Sequence, residues 1–509
     1  MAVPITNHLL DPVDEQRIAA QSDFPQRLIG KKILLATESL GPVNGVSRTT
    51  QQLISYLRAH DVHVATVAPK VADTQSDGWS KNGDPEIRIQ GWPLPYSPDL
   101  SVAYPFRLDN ICRRTGEPDL IYLASPASVG FQFLLQVRQL ESPPAVVLNF
   151  QTDLSAYSQI MLPPPLDDFG VWLLRIVQGY LFKHWAVDTI FYPSKGVKDY
   201  IVKSGAPANK CVHLGRGVDT ELFAPSKRSN KWRQEMAPNG ELILMSVGRV
   251  ALEKGFPFLS QVVQKLVDRG MNFKMVVVGG NKSPAVEKKV HDLFEKNRDR
   301  VVFLGFRTGE ALAECYASAD MFLHCSVTET FGLVVLEAMA SGIPVVARDE
   351  GGPSEIVLHE KTGYLVPPKD LDRFVERVDR IAGDDKLRYD FAVASRVKAL
   401  DTTWDKINNK VAWQLDQALD KAEKRRGLPN TPIRNWILSH PITSVSSAIV
   451  LLKLNACIGI VCFFWLIAVV PLIVHGSSLS SSLSSQVKKM DTRSSLGNGV
   501  SGFLKQQKH

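Results

Sequence analysis

The sequence predicts an α/β protein made of two doubly wound domains, each with a mostly parallel sheet. Three observations carry that reading. Short, near-continuous apolar runs alternate with stretches of helical length, which is the pattern of strands covered on both faces by helices. The runs form two series separated by the polar stretch Lys227 to Gly240. The chain has 509 residues, of which 44% are hydrophobic and 22% charged, a globular composition long enough for two large units and extra segments.

Taken in order, the first series runs Lys32 to Thr37, Val62 to Ala68, Leu120 to Ala124, Val146 to Asn149, Thr189 to Tyr192 and Val212 to Leu214, with Glu86 to Gln90 as an addition. The second runs Leu242 to Val247, Phe273 to Val278, Val301 to Leu304, Met321 to His324 and Pro344 to Ala347. This gives an N-terminal extension at 1–29, a first Rossmann-like domain at 30–215 and a second at 216–400, then a last helix at 401–427. The extension carries Asp11, Asp14 and Glu15 where a secretory signal would have an apolar stretch.

Beyond a linker at 428–447, the region 448–475 is apolar, and Ala456 to Val474 is uncharged throughout. Such a run at 1.5 Å per residue spans roughly 28 Å, close to the hydrocarbon thickness of a bilayer. A core helix normally keeps a polar face, and this one has none, so it predicts a membrane-embedded helix. A Ser-rich tail follows at 476–509. Basic residues flank the run on both sides, so the charge rule leaves its orientation open. The six cysteines include no CxxC pair, which predicts reduced core thiols and a cytosolic face for the folded domains, with a single pass near the C-terminus. The net charge of +7 suits phosphate-bearing ligands or an anionic membrane and falls short of a nucleic-acid binder.

Chemistry in a doubly wound sheet belongs at the carboxyl ends of its strands. After the first run comes Glu38-Ser-Leu-Gly41-Pro-Val-Asn44-Gly45-Val46, a glycine turn into a helix from about Ser47 to Leu57, where the backbone can approach a phosphate. After Leu242 to Val247 comes Gly248-Arg249-Val-Ala-Leu-Glu253-Lys254-Gly255, which offers two cations to a diphosphate. After Met321 to His324 comes Glu329-Thr-Phe331-Gly332-Leu333, then a helix to about Ala340 that contains Glu337. A carboxylate in so apolar a helix needs a polar partner. Eight residues of continuous helix would set the two glutamates roughly 12 Å apart, at two ends of one extended ligand.

These segments, with Val301 to Phe306 and the run Glu329 to Ala347, resemble the retaining glycosyltransferases of family 4, which have the two-domain GT-B fold. The resemblance spans about residues 30 to 420 and includes Pro193-Ser194, Gly215 to Asp219, Glu350 to Glu355 and Thr362-Gly363. It implies a nucleotide-sugar donor held mainly by the second domain, no metal and no cofactor. Arg249 and Lys254 would neutralise the diphosphate, Glu329 would contact sugar hydroxyls and Glu337 the ribose. Amides at Phe331, Gly332, Leu333 and Gly45, with Gly248 and Val46 beside them, would complete the phosphate cradle, and Gly305 and Phe306 would lie by the base. The closing helix near Trp404 to Lys424 would cross back onto the first domain. No hydrolase-type carboxylate pair is needed for such a retaining transfer.

One departure matters. Where many relatives carry His-Thr, this chain reads Phe150-Gln151-Thr152-Asp153, and Gln151 can donate a hydrogen bond but cannot take a proton. That segment and the first loop resemble actinobacterial mannosyltransferases with lipid acceptors and, more distantly, plant sulfolipid synthases. The expectation is therefore hexose transfer, mannose from GDP-mannose first, to a lipid or other hydrophobic acceptor at a membrane. The cations Lys421, Lys424, Arg425 and Arg426 would face the membrane surface. The alternatives are a UDP-sugar-dependent glucosyl, galactosyl or sulfoquinovosyl transferase, or a non-catalytic membrane scaffold. A sugar phosphorylase or epimerase is disfavoured, because no cofactor-lysine context is present for the former.

Overall fold

The computed structural model describes residues 23–41, 45–70, 76–94, 97–140, 142–151, 166–281, 283–326, 329 and 331–426. Among these, no helix is long and apolar enough to cross a membrane. The predicted membrane helix at 448–475, its linker and its tail lie outside the described residues.

The first half runs β1 (Lys32–Thr37), α1 (Gly45–Ala59), β2 (His63–Pro69), β3 (Gly78–Trp79), β4 (Pro85–Ile89), β5 (Gly91–Leu94), β6 (Ser97–Ala103), α2 (Leu108–Thr115), β7 (Leu120–Ala124), α3 (Ser128–Val137), β8 (Ala145–Asn149), α4 (Leu166–Phe182), β9 (Val187–Tyr192), α5 (Lys195–Lys203) and β10 (Cys211–His213). The second half runs α6 (Asn230–Met236), β11 (Leu242–Val247), α7 (Phe256–Asp268), β12 (Phe273–Val278), α8 (Pro284–Asp292), β13 (Val301–Phe303), α9 (Gly309–Ser318), β14 (Met321–His324), α10 (Leu333–Ala340), β15 (Val345–Arg348), α11 (Pro353–Ile356), β16 (Gly363–Val366), α12 (Leu371–Ala382), α13 (Asp385–Leu400) and α14 (Trp404–Arg426). The strand order is β10-β9-β8-β7-β1-β2-β4-β3 in one sheet and β13-β12-β11-β14-β15-β16 in the other, with β5-β6 as a separate hairpin. Every predicted run is a strand to within two residues at either end. The unpredicted strands are β3, β5 and the edge strand β16, which have two to four residues and are too short for periodicity to show, and β6, whose Ser97, Pro98, Asp99 and Ser101 break any apolar run.

The described chain divides into two compact units. The first takes the residues through Asn149, then Trp185–Ile190 and α14; the second takes Phe150–His184 and Phe191–Thr403. In the second unit, alternate residues of β11 feed opposite faces of the sheet. Leu244 joins Leu259, Val263, Phe374 and Val378 in one core, while Ile243 and Met245 join Tyr316, Leu336 and Met339 in the other. A strand buried on both faces has no polar face to alternate with, hence its unbroken apolar run. Asp370 and Asp384 cap α12 and α13 by accepting from the backbone amides of Arg373 and Leu387. Cys112, Cys315 and Cys325 are free and buried, and Cys211 is free and half-buried.

In the first unit, α14 is held by charge along its C-terminal half. Arg27 reaches Asp420 at 2.7 Å and Asp416 at 3.5 Å, and the Trp413 indole donates to the Asp23 carbonyl at 3.1 Å. In the last turn, Arg425 grips both oxygens of Asp188 at 2.8 and 2.9 Å and covers the Trp185 ring. The expectation that Lys421 to Arg426 faces a membrane is thereby corrected for Arg425, which neutralises a buried carboxylate inside the unit. Lys424 is exposed and pairs with Asp420 one turn away on the surface.

Arg425→Ala should cost about 2 kcal/mol in a thermal or urea melt, because it leaves the Asp188 carboxylate, 5% exposed, without its cation. Adding Asp188→Asn should recover part of that loss rather than double it.

Candidate active site

The carboxyl ends of β11, β12 and β13 are tied together through glycine backbone. The Gly248 amide donates to the Val278 carbonyl at 3.0 Å, the Gly279 amide to Gly305 at 2.9 Å and the Val250 amide to Gly280 at 3.1 Å. A Cβ on Gly279, whose φ is +136°, would stand 1.9 Å from the Gly248 oxygen, so only glycine fits. Phe306 is 65% exposed, with its ring lying over Gly280.

The loop after β11 leaves Arg249 exposed and then presses against the end of β14. The pressing point is Gly255, at φ +79°, where a Cβ would come 1.7 Å from the Cys325 carbonyl. That contact carries Lys254 to Glu329, and its ammonium lies 2.9 Å from the carboxylate. The Glu329 main chain is held from the other side, by the Gly352 amide donating to its carbonyl at 3.0 Å. Gly351 and Gly352 lie so close to Glu329 and Phe331 that a Cβ on either would overlap their carbonyls. Burial pushes the Glu329 carboxyl up, but the Lys254 ammonium and the His324 imidazole, 3.8 Å away, outweigh it and hold the group well below the usual carboxylate range.

The two glutamates are not joined by continuous helix. Gly332 turns left-handed at φ +89° with the Pro353 ring packed against it, and α10 begins only at Leu333, with no side chain capping its first turn. The expected 12 Å helical spacing is therefore replaced by a left-handed turn and about one helical turn. Glu337, 4% exposed, accepts from the Tyr316 hydroxyl at 3.1 Å, which is the polar partner its burial demanded.

Sequence reasoning passed over two neighbours. His324, the last residue of β14, is 5% exposed, and its Nδ1 has no hydrogen-bond partner. Arg348, which ends β15 at 3% exposure, donates to the Cys325 carbonyl at 3.2 Å and stands over the Phe258 ring. A polar residue closing each of two buried strands was the available signal. In addition, the buried Arg216 guanidinium stands 5.7 Å from the centre of the Phe331 ring.

Gln151, in the second unit, is 6% exposed with its amide nitrogen unpaired, while Asp153 lies outside the described residues. In the first unit, Gly45 opens α1 and Val46 is half-buried. Glu38, in the loop before them, is occupied with α3: it accepts from the amides of Ala127, Val129 and Gly130 and from the Ser128 hydroxyl. Among the described residues, no three His, Cys, Asp or Glu side chains gather closely enough to hold a metal ion.

Two doubly wound units, one with cations and a charged carboxylate at its sheet's carboxyl edge, describe a nucleotide-sugar glycosyltransferase of the GT-B fold, and the known relatives agree. Residues 43–222 match Glycosyltransferase Family 4 and residues 228–398 match Glycosyl transferases group 1. A GDP-mannose-dependent alpha-mannosyltransferase of Mycobacterium tuberculosis is 30% identical over 410 residues, 79% of this chain and 99% of that protein. The sulfoquinovosyl transferase of Arabidopsis thaliana is 30% identical over 413 residues, 78% of this chain and 76% of that one. The sucrose-phosphate synthase structure from Thermosynechococcus elongatus superposes with a TM-score of 0.62 at 22% identity, covering 77% of this chain and all 100% of its own. The chain belongs to glycosyltransferase family 4.

Because the folded-state Glu329 carboxyl titrates low, its contribution to stability is present above about pH 4.3, the unfolded value, and is lost as pH falls through the folded one. Glu329→Gln should therefore melt below wild type at pH 6, with the gap closing as pH is lowered from 4 toward 2; a circular-dichroism melting series reads this directly.

Proposed function

We propose that the protein is a retaining, metal-independent hexosyltransferase that moves mannose from GDP-mannose to a lipid or other hydrophobic acceptor at a membrane. The observation that carries this is the Lys254–Glu329 pair at 2.9 Å, held by a loop that also carries the exposed Arg249 at the sheet's carboxyl edge. The choice of GDP-mannose leans on the mycobacterial relative, similar over nearly all of its length.

In this reading the bond between the sugar C1 and the β-phosphate oxygen breaks, and the charge that grows on the departing phosphate is met by Arg249 and Lys254. The uncapped amides at the start of α10, Phe331 to Leu333, receive phosphate oxygens, with Gly248 lining the cradle. The acceptor hydroxyl bonds to C1 on the face the phosphate leaves, and its proton passes to the departing phosphate oxygen. Glu329 orients the sugar hydroxyls while Lys254 keeps it charged. Glu337, steadied by Tyr316, meets the ribose, and the exposed Phe306 ring beside Gly305 offers a flat face to the base. Gln151 and Asp153 supply polar contacts on the acceptor side, and no cofactor enters. The apolar run at 448–475 tethers the folded units on the cytosolic side of a membrane. A second reading, a UDP-sugar donor, is favoured by the Arabidopsis relative at equal identity.

Purified full-length protein given GDP-mannose, UDP-glucose or UDP-galactose with membrane lipid extract should release GDP and label a lipid. Release of UDP alone would replace the donor, and no release from any of the three would leave a non-catalytic scaffold. Lys254→Ala should lower turnover by about 10²- to 10³-fold with an unchanged far-ultraviolet spectrum.

A further inference from the structure

Helix α4 is apolar on both sides. Its inner side is core: Leu181 and Phe182 are fully buried, and a Cβ on Gly179 would stand 2.1 Å from the Ser204 carbonyl. Its outer side carries Phe169, Trp172, Ile176 and Tyr180, which are 46%, 55%, 49% and 43% exposed. At 100° per residue their spacings of three, four and four put them in one stripe roughly 80° wide. Phe169 and Trp172 stack on each other at 5.5 Å within that stripe. Single exposed hydrophobics are ordinary, but an aromatic row along one helix face marks an interaction surface.

The charges around the stripe select its occupant. Asp168 lies at its start; Arg175 flanks it, Lys183 follows the helix end, and Lys203 closes the neighbouring α5, all of them exposed. Cations beside a row of tryptophan, tyrosine, phenylalanine and isoleucine are the composition of an element lying in the headgroup layer of a bilayer. The apolar run at 448–475 carries Lys453 and no carboxylate, so it would offer these cations no counter-charge. We propose that the outer face of α4 docks on an anionic lipid bilayer and holds the second unit against it. This rests on the membrane reading above, in which only residues 427–447 separate α14 from the apolar run. That tether extends to about 75 Å at most, short enough for a weak patch to stay engaged.

The test places the photoreactive residue benzoylphenylalanine at position 172 or 176 of the full chain, or at Tyr389, a 58% exposed residue of α13, as control. Each protein is reconstituted with vesicles of phosphatidylcholine and phosphatidylglycerol, irradiated and read by mass spectrometry. Phospholipid adducts severalfold above the Tyr389 control at both positions are expected. Adducts no higher than the control, adducts to residues 448–475 or to α4 of a second copy, or protein that stays off the vesicles would each overturn the proposal. Sugar transfer is assayed on the same samples. Lipid adducts without transfer would leave the surface standing and remove the transferase reading; transfer without adducts would do the reverse.

Discussion

The site depends on backbone meeting backbone at the carboxyl edge of the second sheet. Gly255 lies against the Cys325 carbonyl, and Gly351 and Gly352 lie against Glu329 and Phe331, each too close for any side chain. These contacts leave the loops after β11, β14 and β15 little freedom relative to one another. Lys254 and Glu329 meet as a consequence, not because a flexible lysine happens to find a carboxylate. Preorganisation of this kind lowers the cost of holding charge where charge will develop during a reaction.

The protein's cations fall into two kinds by what surrounds them. Arg425 and Arg348 are committed to partners inside the fold, the first to Asp188 and the second to the Cys325 carbonyl beside the Phe258 ring. Arg249 is exposed at the sheet's carboxyl edge, and Lys254 pairs with Glu329. Net charge alone does not separate these roles; the +7 includes all of them. What each cation touches does, because a carboxylate as buried as Asp188 carries a large penalty if its cation leaves.

Much of the fold was legible because strands buried on both faces write themselves as unbroken apolar runs, as in Leu242–Val247 and Met321–His324. The strands β5 and β16 were not, because four residues leave no period, nor was β6, whose polar residues Ser97, Asp99 and Ser101 leave no apolar run. Of the site, Arg249, Lys254, Glu329 and Glu337 stood out as charges placed just after apolar runs or inside an apolar helix. His324 and Arg348 did not, because each reads as the polar end of a strand until its neighbours are known. The partner of Glu337 was equally hidden, since Tyr316 lies in a different helix and nothing local links the two.

By itself the sequence determined the two doubly wound units, the loops that bear the chemistry and the family, since hydrophobic period and loop composition are local properties. It also determined the apolar run near the C-terminus, where length and lack of charge suffice. Only the tertiary structure decided that Lys254 pairs with Glu329, that a glycine turn interrupts the span between the two glutamates, and that Arg425 pairs with Asp188. It also decided that α4 keeps an aromatic stripe outside the core. Each of these turns on which atoms come within about 4 Å across long stretches of chain, and distances of that kind are set by packing, which no single segment encodes.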